Sequence, residues 1–284
     1  MSPTFKRKRK LKVAFQGEKG AYSEIAAKRF FPSKNLELIP CKTFADVFHT
    51  VEKGEADNGM VPVENTLNGG IREVFNLLDE EPLYVHGEIK LKISHALLAV
   101  NGAKFSDIKK VYSHPQALLQ CRKFIRKAKL TPVEFYDTAG AAKFVSENND
   151  CSVAAIASEA AAEDYGLAVL KRRLESDGNN FTRFLVISRK YSVSKNADKT
   201  TVIFSLRNMP GALHKILSVF AIRDIDLLAI DSIPIVGRPW EYKFYVDFSG
   251  SILNDEQANA VNHLREVSPH VKVVGSYKSG ETIV

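Results

Sequence analysis

Long apolar runs, paired cysteines and any sizeable excess of basic charge outside one short tail are all missing from this 284-residue chain. No stretch approaches the roughly 20 apolar residues that a bilayer-spanning helix needs. The basic N-terminus runs into Val13-Ala14-Phe15-Gln16, far too short for a signal-peptide core, so no membrane partner is expected. The cysteines, Cys41, Cys121 and Cys151, are odd in number and widely spaced, without a C-x-x-C pair or a nearby histidine pair. That usage points to a reducing compartment and a cytoplasmic protein. The formal charge is +7, but Lys6, Arg7, Lys8, Arg9, Lys10 and Lys12 supply six of those charges, leaving +1 for the rest. A nearly neutral body is not a phosphate-binding surface, and no nucleic-acid partner is expected. Residues 1–10 read as a disordered, solvated arm, with a localisation signal or polyanion hook as the alternative.

The length favours two domains, one with a sizeable core. From 11 to 189, short apolar runs alternate with amphipathic segments, the pattern of strands crossing through helices into a mostly parallel sheet. Strands are predicted at 12–16, 36–39, 59–63, 90–100, 110–113, 133–136, 153–157 and 183–188. Helices are predicted at 23–30, 44–53, 71–78, 116–127, 138–148 and 158–164. The extended run from Leu83 to Val100 is long enough to leave one sheet and enter another, so it marks a boundary between two α/β lobes. Such lobes form a cleft, with ligands expected beyond the carboxyl ends of the strands. Residues 190–199 are polar and aperiodic, a linker. From 200 to 284 the order becomes βαββαβ, the ferredoxin-like plan.

Four strand-to-helix junctions carry candidate chemistry. Gly17 to Ser23 combines two glycines with a helix start that aims free N–H groups at an anion. Val61 to Gly70 sets Glu64, Asn65 and Thr66 at a strand end before Gly69-Gly70. Asn65 and Thr66 also suit turn and cap chemistry, whereas Glu64 has no such explanation. Ser113-His114-Pro115-Gln116 opens a helix that carries Gln120, and Thr138 opens the next. Ser113 and Thr138 are equally natural caps, and His114 reads as a turn residue. Asn180-Phe181-Thr182-Arg183-Phe184 begins a strand, and an arginine against an apolar wall makes a strong carboxylate site.

In order along essentially the whole chain, these motifs resemble the prephenate dehydratase family, with Thr182-Arg183-Phe184 and Ser113-His114-Pro115-Gln116 the most specific. The resemblance implies a two-lobed, periplasmic-binding-protein-like α/β catalytic domain followed by an ACT domain that senses phenylalanine. It implies conversion of prephenate to phenylpyruvate with loss of carbon dioxide and water, without a cofactor. Thr182 would donate to the leaving hydroxyl, with a proton relayed from Glu64, and Arg183 would hold a substrate carboxylate. Asn65, with Ala21, Tyr22, Ser23, Thr66, Ser113, Gln120, Thr138 and Phe184, would complete the site. The sensor residues would be Gly211, Ala212, Leu213, Asp231 and Ser232, with phenylalanine bound at the interface of a homodimer or homotetramer. The family's Glu-Ser-Arg-Pro appears here as Asp231-Ser232-Ile233-Pro234, so Ile233 removes a guanidinium from the expected ligand site, and Arg238 lies nearby as a substitute. Arogenate dehydratase is the neighbouring activity, and a non-catalytic amino-acid-binding regulator is the rival of another class.

Overall fold

The computed structural model describes residues 9–206, 209–235 and 237–284. The first lobe is built from β1 (Leu11–Gln16), α1 (Tyr22–Phe30), β2 (Leu36–Cys41), α2 (Phe44–Glu52), β3 (Asn58–Asn65), β4 (Gly69–Gly70), α3 (Arg72–Glu80) and β5 (Tyr84–Lys92). A Thr43–Asp46 capping box starts α2. The chain then crosses into a second lobe made of β6 (Ala96–Ala99), β7 (Lys110–Ser113), α4 (Pro115–Gln120), α5 (Arg122–Lys127), β8 (Thr131–Glu134), α6 (Thr138–Asn148), β9 (Val153–Ala157), α7 (Glu159–Tyr165) and β10 (Ala168–Lys171). It returns to the first lobe as β11 (Phe181–Ser188), so two strand connections join the lobes.

Two predicted elements divide. The strand expected at 90–100 ends at Lys92 and resumes at Ala96, and Ile93-Ser94-His95 makes the crossing. The helix expected at 116–127 breaks at Cys121 into α4 and α5. Its start is set by the His114 side chain, which accepts from Gln116 N, and by Pro115 in the first turn. The second lobe has an alanine-rich core that includes Ala141, Ala142, Ala154, Ala155 and Ala161, which lets α6 lie close to β9 and α7 close to α6.

The C-terminal domain runs β12 (Lys199–Ser205), α8 (Ala212–Ala221), β13 (Leu227–Pro234), β14 (Tyr242–Ser249), α9 (Asp255–Val267) and β15 (His270–Tyr277). Its sheet order, β13-β14-β12-β15 and antiparallel throughout, is that of a ferredoxin-like βαββαβ domain. One sheet face carries α8 and α9 over Val202, Phe204, Val246 and Phe248. The other face presents Ile203, Ile233, Tyr245, Val274 and Tyr277 to the first lobe, where they share a core with Phe75, Leu78 and Val85.

Two boundaries differ from those read from the sequence. A short β16 (Thr282–Ile283) leaves the C-terminal domain and pairs parallel with β5, so the last residues belong to the first lobe's sheet. The segment before β12 is docked as well: Asp198 N donates to Tyr277 O, and its carboxylate takes Lys278 and Ser279 N. Of the tail expected at 1–10, residues 1–8 lie outside the described residues, and Arg9 donates to Asp57 at 2.9 Å.

Candidate active site

A cavity of about 290 Å³ separates the lobes. The first lobe contributes Ala21, Tyr22 and Ser23 at the start of α1, with Asn65, Thr182 and Phe184 from the ends of β3 and β11. The second contributes His114, Gln116, Gln120, Asp137 and Thr138. Among the described residues lining it there is no lysine or arginine. Positive potential comes instead from the N-termini of α1 and α6, whose first N–H groups have no partner within their helices. Ala21 is the N-cap of α1 and makes no side-chain cap bond, which leaves that end open. On α6 the cap is Asp137 rather than Thr138. Its Oδ1 accepts from Gly140 N at 2.5 Å, and Thr138 is freed to line the cleft.

The lobes are held together at the mouth. Gly17 and Gly20 take positive φ, and a Cβ on Gly20 would lie 2.5 Å from Ala161 Cα, so the turn before α1 can touch the second lobe only as glycine. Ser158 Oγ donates to Gly20 O at 2.6 Å, and Glu18 takes Tyr136 and Lys143 from across the cleft. Burial and the Glu18 carboxylate push the Tyr136 phenol up to about 12.

Thr182 lies on the cleft floor and is 9 % exposed. Asn65 Nδ2 donates to Thr182 Oγ1 at 3.0 Å and to Asn180 Oδ1 at 2.8 Å. Asn180 Nδ2 donates to Gln120 Oε1 at 2.9 Å, and His95 Nε2 meets the same oxygen at 2.9 Å. Because that carbonyl only accepts, the imidazole carries its proton on Nε2, and its bare Nδ1 shares the single proton of the Tyr22 hydroxyl, 3.0 Å away, with Ser94 O at 2.7 Å. Burial lowers the pKa of His95 and keeps it neutral near pH 7. The chain of bonds fixes Gln120 with its NH2 group available and leaves the Thr182 hydroxyl proton uncommitted. Ser23, nearly buried, and Phe184, 2 % exposed, complete the floor.

Several residues expected in the cleft lie elsewhere. Side chains alternate along a strand, so Thr182 and Phe184 face the cleft while Arg183 faces the C-terminal domain. There Arg183 Nε donates to Glu64 Oε2 at 3.0 Å, and Nη1 donates to Glu88 and Asp247. Glu64, beside Asn65 on β3, is turned the same way. The carboxylate clamp expected of Arg183 and the proton relay expected of Glu64 are therefore both corrected. Ser113 is fully buried, its hydroxyl donating to Ile156 O at 2.5 Å. Thr66 ties the lobe crossing, donating to Asn179 O at 2.7 Å and accepting from Phe181 N. The Tyr22 ring lines the cleft, but its hydroxyl is committed to Ser94 O and His95.

The expected sensor residues also divide between two faces. Gly211, at φ +75°, starts α8, and Ala212 and Leu213 border a small apolar pocket with Leu206, Met209, Trp240, Tyr242 and Phe244. Ser232 is exposed and pairs with Phe244. Asp231 faces the first lobe, where Gly70 and Glu64 approach it; burial first, then Glu64, pushes its pKa up. Ile233 is 1 % exposed within the core shared with that lobe, so it contributes to docking and not to a ligand pocket. Arg238 pairs with Glu241 at the surface and does not replace the missing guanidinium.

Asn180 and Asp137, which flank the expected Thr182 and Thr138, join the site with a role of their own, and His95 joins it from outside the four junctions. A histidine and serine interrupting the apolar run Leu91 to Val100 were the available signal for His95.

A family model described as prephenate dehydratase matches residues 13–192. Arogenate dehydratase 2 of Petunia hybrida is 42 % identical over 290 residues, covering 96 % of this chain and 73 % of that one. Prephenate dehydratase of Arthrobacter aurescens, solved in complex with L-Phe, is 31 % identical with a TM-score of 0.87, over 94 % of this chain and 89 % of that one. A structure described as a novel type of quorum-quenching acylase is 33 % identical with a TM-score of 0.87, over 95 % of this chain and 98 % of that one.

Proposed function

The chain belongs to the prephenate dehydratase family, and we propose that its cleft carries out that reaction through Thr182, with neutral donors and helix N-termini holding the substrate. The protein is a carbon–oxygen lyase that decarboxylates and dehydrates prephenate to phenylpyruvate, a step of phenylalanine biosynthesis.

The carrying observation is that Thr182 Oγ1 accepts from Asn65 and keeps its own proton free in a cleft without a cationic side chain. The bond from the ring to its carboxylate breaks, and its electron pair enters the ring as the C–O bond to the hydroxyl breaks. Aromatisation drives the step, so the protein has to orient the dianion and protonate the departing hydroxide. Thr182 donates that proton as charge develops on oxygen and recovers one from solvent. The bond from Asn65 grows stronger as Oγ1 becomes electron-rich, which favours the transition state over the ground state. The N–H groups opening α1 and α6, with the Gln120 NH2, hold the carboxylates, and Phe184 and Tyr22 flank the ring. Amide hydrolysis, the acylase activity, would need an activated nucleophile. Among the described residues neither imidazole nor carboxylate is hydrogen-bonded to Thr182 Oγ1, so the geometry favours proton donation.

The finer reading is that prephenate is preferred to arogenate and that L-phenylalanine inhibits. The C-terminal domain acts as an ACT-type sensor, with the phenylalanine ring in the apolar pocket beside Gly211 and its carboxylate at the N-terminus of α8. Exposed Leu228 and Ile230 on edge strand β13 support pairing of two copies there, in a homodimer or homotetramer. The enzyme works in the cytoplasm; Cys41, Cys121 and Cys151, all free thiols, support a reducing compartment. Comparing kcat/KM for prephenate and arogenate, with and without phenylalanine, tests the whole reading. A higher value for prephenate, falling when phenylalanine is added, is expected. Turnover of neither substrate would overturn the activity, and a higher value for arogenate would overturn the preference.

A further inference from the structure

The register of β11 against β3 slips one step beyond Thr182. Arg183 lies opposite Glu64 and Phe184 opposite Pro62, so Val63 is an extra residue and the pair forms a β-bulge. A bulge interrupts the ladder and re-aims neighbouring side chains. The direction of Thr182 therefore depends on whatever holds the bulge.

Arg183 occupies that place and reaches three other strands. Nε donates to Glu64 Oε2 on β3 at 3.0 Å. Nη1 donates to Glu88 Oε2 on β5 at 3.1 Å and to Asp247 Oδ2 on β14 at 2.6 Å. The shortest of these bonds comes from the C-terminal domain. Asp247 is 1 % exposed, and the Thr201 hydroxyl donates to its other oxygen at 2.5 Å. Charge-assisted hydrogen bonds in such a dry setting are strong and directional. Without Asp247, the guanidinium keeps only its bonds within the first lobe's sheet.

We propose that Asp247 is a positioning residue of the active site: acting through Arg183, the C-terminal domain fixes the bulge that aims Thr182 into the cleft. This rests on the function proposed for Thr182 and adds a residue outside the catalytic lobes. It gives the C-terminal domain a part in catalysis that requires no effector.

Steady-state kinetics of the full chain with prephenate test it. Asp247→Asn keeps the side-chain size and the acceptor for Thr201, but sets an NH2 group against Nη1. Displacement of a catalytic group by about 1 Å is costly, so kcat should fall about 10²-fold, with KM little changed and part of the loss restored in Asp247→Glu. Lys243→Gln removes another ion pair of the same domain interface, Lys243 to Asp79 at 2.7 Å, and should leave kcat unchanged. Wild-type kcat in folded Asp247→Asn, or an equal loss in Lys243→Gln, overturns the proposal. Should Asp247→Asn not fold, Thr201→Val removes the hydroxyl that orients Asp247 and should lower kcat at constant KM; unchanged kcat there overturns it too. A wild-type protein that does not turn over prephenate would instead overturn the proposed function.

Discussion

The cleft has to hold a dianion, yet among the described residues its lining carries no lysine or arginine, whereas the interface behind it buries Arg183 and Lys199 among Glu64, Glu88 and Asp247. One strand, β11, faces both. The two regions use polarity for different ends. In the cleft, helix termini and amides supply fixed partial charges that bind an anion without a deep ground-state well, which favours turnover and release. In the interface, full charges are paired in low dielectric, where breaking one is far more costly than breaking a surface pair. Cleft substitutions should therefore change rate, and interface substitutions should change stability and alignment.

The largest expected effect is on rate. Thr182→Ala should lower kcat by about 10²–10⁴, leaving the melting temperature near that of wild type and KM little changed. A loss confined to KM would remove Thr182 from proton transfer. Next is stability. The Glu88 carboxylate is fully buried between Arg183, Lys199 and Gly280 N. Glu88→Gln should therefore cost about 3–5 kcal/mol in urea unfolding, with KM unaltered. A neutral effect would mean that the interface charges do not act as a network. Arg183→Lys should likewise lower stability and leave KM close to wild type; a large rise in KM would return Arg183 to the carboxylate.

The pH dependence sharpens the same contrast. Burial would raise the pKa of Glu88, but Arg183 and Lys199 more than offset this and hold it below the ordinary glutamate range. A depressed carboxylate contributes stability above its unfolded pKa of about 4.3, and that contribution is lost as pH falls through the folded value. Thermal melts should show it as a drop in melting temperature below that range, shallower in Glu88→Gln. Asp79, lowered by Lys243 and His270 against the opposing effect of burial, acts in the same direction. Equal acid slopes in the variant and wild type would place the acid sensitivity elsewhere. The smallest expected effect is ionic. A cleft without full positive charges should show only a weak dependence of KM on salt, and a steep dependence would point to a lysine or arginine reaching the substrate.

The two-lobed plan, the βαββαβ order and most strands were legible because most elements have their own period, and α2, α4, α6 and α7 have side-chain caps as well. The site was legible to the level of junctions, and individual roles were less so. Thr182-Arg183-Phe184 already stated, by alternation, that Arg183 and Thr182 face opposite ways, but not which face met the cleft. That depends on the docked C-terminal domain, which only tertiary packing reveals. Ser113 and Thr138 looked alike as caps. The fully buried environment of Ser113 and the better cap at Asp137 set them apart in space. The contiguous motif places Ile233 at a ligand pocket, yet adjacent residues of a strand serve different faces. β16 has two residues, too few to carry a period.

Thr182 as the proton donor of a cleft whose described lining has no lysine or arginine is tested most directly by phenylpyruvate formation from prephenate, measured side by side in the wild-type protein and Thr182→Ala. The wild type should turn over and the folded variant should be slower by at least about 10²-fold at similar KM; a variant that keeps wild-type kcat would contradict the assignment.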